Sequence, residues 1–149
     1  MGRFATGVAV ILTEEHGRPA GMTVNSLTSV SLDPILLLFC ARNESRVAQS
    51  VLSTGRFSVN ILARDQTDIS NAFAGCGDPD LVPLIRERGF LRLAAPTAAF
   101  LCEVAQVYPG GDHQIILGRP LHMSAPSDGD RPLVFYQGKY TALPDTARC

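Results

Sequence analysis

A polar segment at residues 25–31 separates two hydrophobic stretches and limits the folds open to this chain. Five of its seven side chains are short hydroxyls or amides, while residues 21–24 precede it and an apolar run at 35–40 follows. Such side chains can bond to their own backbone in a twisted strand or turn. They also let backbone N–H groups come close to a flat heterocycle or a phosphate. The segment therefore predicts either a Ser/Thr-rich turn or the lining of a polar ligand site.

The bulk composition describes a globular protein of one domain. The chain has 149 residues, of which 46% are hydrophobic and 18% charged, so it can bury a proper core. Its formal net charge is -1 and no basic stripe is present, which argues against a nucleic-acid partner. The apolar runs are too short to cross a bilayer, and the first residues do not resemble a signal peptide. We expect no membrane association.

The cysteines and histidines do not form a metal-binding pattern. The four cysteines lie far apart, with no Cys-x-x-Cys pair, and the three histidines are not spaced like metal ligands. Cys40 and Cys102 lie in apolar, strand-like surroundings, where a free thiol is a small buried hydrophobe. A reducing cytoplasm is the simplest location for such a chain, and no metal site is expected.

The pattern of apolar residues predicts about seven strands and two short helices. Strands are expected at 8–13, 20–24, 35–41, 57–62, 100–108 and 113–123, with two short ones at 133–136 and 140–143. The continuous apolar run at 35–41 predicts a strand buried on both faces. Helices are expected at 46–53, capped by Asn43 or Ser45, and from Asp65 to about residue 74, with a helical turn at 84–88.

Short intervals between strands, without regular helical crossovers, favour an antiparallel β-barrel over a doubly wound α/β sheet. The fold class is therefore mainly β, with a few short helices. There is no Gly-x-Gly-x-x-Gly after the first strand, so a Rossmann nucleotide site is not supported. A polar loop is expected at 124–131.

The start of the first helix is a candidate phosphate site. Residues 41–46 follow a buried strand and open a helix, at whose N-terminus Ser45 and Arg46 add a hydroxyl and a cation. Free backbone N–H groups and the helix dipole favour an anion there, and a hydroxyl and a cation suit phosphate oxygens. An ordinary capped helix with solvated arginines explains the same residues, so both interpretations stay open.

His113 is the candidate for proton or charge chemistry, because the hairpin turn at 109–112 beside it has no need of an imidazole. A plain turn is the alternative, since Gly-Asp is common turn chemistry.

A further motif is formed by Tyr136, Gly138 and Tyr140. It predicts a strand that bends at the glycine, for which a β-bulge is an equally good explanation. The sequence pattern indicates neither a nucleophilic triad nor a pair of catalytic carboxylates.

Five motifs together resemble the flavin reductase-like family, which has the FMN-binding split-barrel fold. They are GRFATGV (2–8), GMTVNSLTSVSLDP (21–34), FSVNIL (57–62), GDH (111–113) and YQGKY (136–140), and they cover nearly the whole chain in the expected order. The resemblance implies an antiparallel, Greek-key-like barrel over residues 1–149. It also implies a homodimer that reduces FMN or FAD with NADH or NADPH and supplies reduced flavin to a separate monooxygenase.

The resemblance also implies roles for particular residues. The flavin ring and ribityl chain would contact Thr23, Asn25, Ser26, Thr28 and Ser29. The flavin phosphate would lie against residues 41–46, specifically Ala41, Arg42, Asn43, Ser45 and Arg46. His113 would face the nicotinamide, with Gly138 and Tyr140 nearby. Hydride transfer between the two cofactors needs no protein nucleophile, which agrees with the absence of a catalytic constellation.

The sequence departs from the family pattern in two places. Relatives usually carry a helical turn or more before the first motif, and residues 91–101 are less like the family than their flanks.

Three alternative functions stay open. They are a tight FMN carrier in electron transfer, a reductase of another acceptor such as a metal chelate or corrinoid, and a dimeric barrel that binds some other phosphate ligand. The choices between FMN and FAD, and between NADH and NADPH, stay open.

Overall fold

The fold was analysed in a computed structural model that describes residues 1–125 and 131–143. These residues form twelve strands, two α-helices, a π turn and a 3-10 turn. The strands are β1 Thr6–Gly7, β2 Ala9–Glu15, β3 Arg18–Val24, β4 Thr28–Leu32, β5 Ile35–Arg42, β6 Arg56–Ile61, β7 Leu84–Glu87, β8 Phe90–Leu93, β9 Ala98–Gly110, β10 His113–Ser124, β11 Val134–Tyr136 and β12 Lys139–Thr141. The helices are α1 Arg46–Thr54 and α2 Thr67–Asn71, and the turns are Ala72–Cys76 (π) and Pro79–Leu81 (3-10).

Seven strands form one antiparallel sheet in the order β3-β2-β6-β9-β10-β5-β4. β3 and β4 are the two edges of this sheet, yet only residues 25–27 connect them. Four extended backbone steps from Val24 to Thr28 reach at most about 14 Å. The sheet must therefore curl until its edges face each other, which gives the predicted antiparallel barrel with a gap at residues 25–27.

The barrel is held by two hydrophobic clusters on opposite faces of β2. The first fills the barrel interior and includes Ile11, Phe39, Phe57 and Ile116. The second lies outside β2, between α2 and the smaller sheets, and includes Val10, Leu12, Phe73, Leu93 and Leu133. β2 is therefore buried on both faces, and its near-continuous apolar sequence follows from that position.

Residues 84–87 form strand β7 of a hairpin with β8, so the predicted helical turn is wrong. Arg88 and Gly89 both have positive φ and make the two-residue turn. The hairpin packs on β6 through buried polar side chains: Ser58 Oγ donates to Leu91 O at 2.6 Å, and Leu93 N donates to Asn60 Oδ1 at 3.0 Å. The helix prediction failed because a segment of five residues carries no reliable period.

Three further details differ from the sequence-based predictions. In β5 only alternate residues, Leu37, Phe39 and Ala41, are buried in the single chain, because the opposite face of the strand is only partly covered. The residue before α2 is Gln66 rather than Asp65, and its side-chain oxygen accepts from Ala63 N at 2.9 Å. Residues 136–139 form a two-residue hairpin turn instead of a bulge.

The other predicted strands and the helix at 46–53 are present, with ends shifted by a few residues. Most of the predicted polar loop at 124–131 lies outside the described residues, and Ser124 ends β10. In residues 1–125 and 131–143, no helix has both the length and the apolar character needed to span a bilayer.

Candidate functional site

Within the described residues, a cavity lies where β3, β5, α1 and the β9–β10 hairpin meet. It has a volume of about 510 Å³, within the usual range for small-molecule sites. We call it the main cavity, and it is lined by Met22, Thr23, Val24, Asn25, Ser26, Cys40, Ala41, Arg42, Glu44, Ser45 and His113. Two segments far apart in sequence, 22–26 and 40–45, therefore form one concave surface.

One end of the main cavity is the start of helix α1. Ser45 is the N-cap: its Oγ accepts from Ala48 N at 3.2 Å, and Gly55 ends the helix in the left-handed region. The backbone N–H groups of Arg46 and Val47 have no acceptor among the described residues, as expected for the first turn of a helix. This end of the cavity is therefore suited to an anion.

The loop before α1 is fixed to the tip of the β9–β10 hairpin through Asn43. Its backbone N donates to Asp112 O, and its Nδ2 donates to Gly111 O, both at 3.1 Å. His113, next to that tip, is half-exposed and its Nδ1 lies 2.7 Å from Asp112 Oδ1. The hydrogen bond with His113, reinforced by the charges of His113 and Arg42, holds the pKa of the Asp112 carboxyl below its ordinary value.

Two hydroxyls of the 22–26 segment are bound to backbone. Ser26 Oγ accepts from Cys40 N at 2.9 Å and donates to Cys40 O at 3.3 Å. Thr23 Oγ1 donates to Ser70 O at 2.7 Å. These bonds fix the cavity wall, so the Ser and Thr residues of this segment support the backbone as well as line the cavity.

Asn25 lies where three cavities meet. It lines the main cavity, a second of about 170 Å³ that also contacts Phe135 and Tyr140, and a third of about 310 Å³ beside residues 4–9. Within the described ranges its amide makes no hydrogen bond, whereas Tyr140 OH is held 2.7 Å from Ser70 Oγ. The Asn25 amide is thus free to bind a ligand that extends from one cavity to the next.

The profile of the family described as "Flavin reductase like domain" matches residues 1–144. The chain belongs to the flavin reductase-like family. It is 38% identical to the flavin-dependent monooxygenase reductase subunit HsaB of Mycobacterium tuberculosis, over 96% of this chain and 79% of that protein. It is 37% identical to the NADH-dependent flavin reductase of a Rhodococcus species, over 96% and 82%.

A solved structure gives the same result for the fold. The NADH:FAD oxidoreductase SgcE6 of Streptomyces globisporus, in complex with NAD and FAD fragments, superposes with a TM-score of 0.92 at 29% identity and covers 99% of this chain and 90% of that one. Family membership confirms the resemblance, the mainly β antiparallel fold and the enzyme class predicted from the sequence, an NAD(P)H-dependent flavin reductase.

The structure brings together seven of the thirteen site residues proposed for this flavin reductase. Those that line the main cavity are Thr23, Asn25, Ser26, Ala41, Arg42, Ser45 and His113. Thr28 lines the third cavity and Tyr140 the second. The remaining four, Ser29, Asn43, Arg46 and Gly138, line none of these three cavities.

These four residues have other positions in the fold. Ser29 is exposed on the edge strand β4, and Arg46 is exposed in the first turn of α1. Asn43 braces the hairpin beside His113, and Gly138 has φ 75° in the β11–β12 turn. A turn that needs positive φ explains Gly138 without any ligand.

Four residues of the main cavity were not predicted from the sequence: Met22, Val24, Cys40 and Glu44. From the sequence, Met22 and Val24 were assigned to a strand and Cys40 to a buried thiol. Glu44 lies in the candidate phosphate segment 41–46 but was given no role there. Each of the four lies next to a predicted site residue in the sequence, and that adjacency was the available signal. Among the described residues no group of three His, Cys, Asp or Glu side chains could hold a metal ion.

Proposed function

We propose that the main cavity binds the flavin, with its phosphate at the start of α1 and its ring system directed toward Asn25. The free N–H groups of Arg46 and Val47 and the guanidinium of Arg42 supply donors and positive charge at one end. Met22, which is only partly buried, supplies an apolar surface for the ring beside the deeply buried Val24 and Ala41. The cavity has a volume of about 510 Å³, with charged and hydrogen-bonding groups at one end and an apolar surface at the other. This match to a flavin mononucleotide moiety is the observation that carries the proposal.

His113 is proposed to face the nicotinamide nucleotide from the opposite wall. When both cofactors are bound, they supply the hydride transfer themselves. The role of the protein is to hold the flavin and nicotinamide rings in contact with each other and away from water. The Asn43 bonds to Gly111 and Asp112 fix His113 relative to the phosphate end, so both binding regions are positioned by one loop.

The cofactors are FMN or FAD, with NADH or NADPH as the source of the hydride. SgcE6 is named for NADH and FAD, and the Rhodococcus relative for NADH, which supports NADH as the nucleotide to test first. HsaB is named as the reductase subunit of a flavin-dependent monooxygenase. By this similarity, we propose that the present chain supplies reduced flavin to a separate monooxygenase.

We also propose that the protein is a homodimer. The outer face of β5 and β10 carries Leu36, Leu38, Cys40 and Ile115, all only partly covered in the single chain. An apolar face of this kind supports burial against a second copy of the chain. Sedimentation velocity would test this proposal, and a monomer at micromolar concentration would contradict it.

We further propose that the chain forms a single domain and that it works in a reducing cytoplasm. The family match over residues 1–144 supports a single domain over 1–149. Cys40, Cys76 and Cys102 are free thiols in the structure, which supports a reducing cytoplasm as the location.

The decisive experiment is anaerobic stopped-flow oxidation of NADH and of NADPH with FMN or FAD added. Nicotinamide-dependent bleaching over many turnovers of added flavin is expected. Tight flavin binding without repeated turnover would favour an electron-transfer flavoprotein instead. Failure to bind either flavin would contradict the proposed function.

A further inference from the structure

Glu44 is the one carboxylate among the eleven residues that line the main cavity. It lies directly before the N-cap Ser45, at the end where the flavin phosphate is proposed to bind. Its side chain is exposed and forms no hydrogen bond or ion pair within residues 1–125 and 131–143. A carboxylate beside a proposed anion site works against anion binding, so its presence calls for an explanation.

The backbone on both sides of Glu44 is fixed, so the carboxylate stays near this end of the cavity. Asn43 N donates to Asp112 O at 3.1 Å, and Ser45 N donates to Arg42 O at 3.0 Å. Ser45 is further held as the helix cap. The loop segment that carries Glu44 is therefore held at this end of the cavity.

FMN and FAD present different charges to this loop. The terminal phosphate of FMN is a monoester with a charge of about −1.5 to −2 at pH 7. The corresponding phosphate of FAD is a diester with a single charge, and the second phosphate lies further along the chain. A nearby carboxylate therefore repels the FMN phosphate more strongly, and this repulsion offsets part of the stronger attraction that Arg42 exerts on the same phosphate.

We propose that Glu44 sets the flavin preference of this enzyme by disfavouring FMN relative to FAD. The inference rests on the proposed function, because it assumes that the flavin phosphate lies at the start of α1. Glu44 is a specificity-determining residue in this proposal, and hydride transfer does not depend on it.

The test is titration of the flavin-free protein with FMN and with FAD, for the wild type, Glu44→Gln and the control Asp65→Asn. Asp65 is also an exposed carboxylate, and it lies outside the three cavities. Glu44→Gln is expected to strengthen FMN binding about three- to fivefold, the range of a solvent-exposed charge interaction, and to strengthen FAD binding less. Asp65→Asn should leave the FMN-to-FAD ratio of Kd unchanged.

Salt gives an independent measure of the same effect. Raising the ionic strength from 0.1 to 1 M shortens the screening length from about 10 to about 3 Å, so the difference between the FMN-to-FAD Kd ratios of the wild type and Glu44→Gln should shrink. A ratio that is the same in both proteins at low salt would overturn the inference while leaving the flavin site intact. Failure of the wild type to bind either flavin would overturn the proposed function and this inference with it.

Discussion

The hydroxyl of Ser26 satisfies both backbone groups of Cys40, one as acceptor and one as donor. β4 pairs with β5 only over residues 35–38, so Cys40 lies beyond the end of that pairing. Ser26 takes the place of a strand there and holds the 25–27 connection against β5. The polar segment noticed in the sequence is thus part of how the barrel edge is closed.

Removing this hydroxyl is expected to destabilise the protein. Ser26→Ala leaves the N–H and C=O of Cys40 without their partner, which should lower the free energy of unfolding by about 1–3 kcal/mol. Chemical denaturation measures the loss. Ser29→Ala is the matched control, because Ser29 is exposed on β4, and it should change stability by less than about 0.5 kcal/mol. Equal effects from the two changes would contradict the role given to Ser26.

His113→Ala is expected to impair use of the nicotinamide nucleotide while flavin still binds. Loss of one hydrogen bond to a ligand corresponds to about a three- to tenfold increase in KM for NADH. Steady-state kinetics and a flavin titration separate the two effects. His16→Asn serves as the control, since His16 lies in an exposed turn with φ 50° that asparagine tolerates. Unchanged nicotinamide kinetics in His113→Ala would remove this residue from the site.

Asn60 should be one of the most sensitive positions for stability. It is fully buried, and its amide bonds to Val10 O at 3.1 Å, Ser58 Oγ at 2.9 Å and Leu93 N at 3.0 Å. Asn60→Ala removes all three bonds and leaves buried groups unpaired, so we expect a loss of about 3 kcal/mol or more in unfolding free energy. A loss below about 1 kcal/mol in urea denaturation would show that the β7–β8 hairpin does not depend on this residue.

Gly118 should not tolerate a side chain. A Cβ there would lie 2.4 Å from Phe57 Cζ and 3.2 Å from Leu37 Cδ1, in the closely packed barrel interior. Gly118→Ala is expected to cost about 1–3 kcal/mol through overpacking. Gly7→Ala, where a Cβ meets no atom within 4 Å, is the control and should be nearly neutral. Thermal unfolding of the two variants gives the comparison.

The thiols should react with iodoacetamide in the order of their exposure. Burial raises the pKa of the Cys102 thiol from 9.0 to about 12, so this residue should stay unmodified at pH 8 until the protein unfolds. Exposed Cys76 should react first, and Cys40 more slowly. Peptide mass spectrometry follows each site, and labelling of Cys102 in the native protein as fast as that of Cys76 would contradict this order.

The buried Cys102 also predicts how stability changes at high pH. Its pKa is higher in the folded protein than in the unfolded chain, so the unfolded chain releases this proton at a lower pH. The contribution is therefore constant below about pH 9 and is lost as the pH rises from 9 toward 12. Urea denaturation between pH 8 and 10.5 should show falling stability, and Cys102→Ala should show a smaller fall over the same range.

The sequence was most informative where local chemistry and fold agree. The strands were predicted from the spacing of apolar residues, and α1 from its cap Ser45 and its terminating Gly55. Each of these signals acts within a few residues of the sequence. The meeting of residues 22–26 with 40–45 could be anticipated only through the family resemblance, since no local rule relates them. The β7–β8 hairpin and the role of Asn60 were missed because both depend on contacts with distant strands.

The site was predicted less completely than the fold for the same reason. Asn43 was expected to bind the cofactor, yet its bonds go to the hairpin tip, a contact across 68 positions of sequence. Glu44 was overlooked because an acid before a helix is ordinary on local grounds. Which face a loop residue presents to a cavity depends on the whole barrel, and the apolar period does not encode it.

The short connection between β3 and β4 has a consequence for proteolysis and aggregation. It holds two sheet edges near each other, and an exposed edge is a template for pairing with another chain. A protease that cut between Val24 and Thr28 would release that restraint and leave two edges free to add strands. Damage at these three residues would therefore open the barrel at its gap and favour pairing of its edges with another chain, although few core contacts would be removed directly.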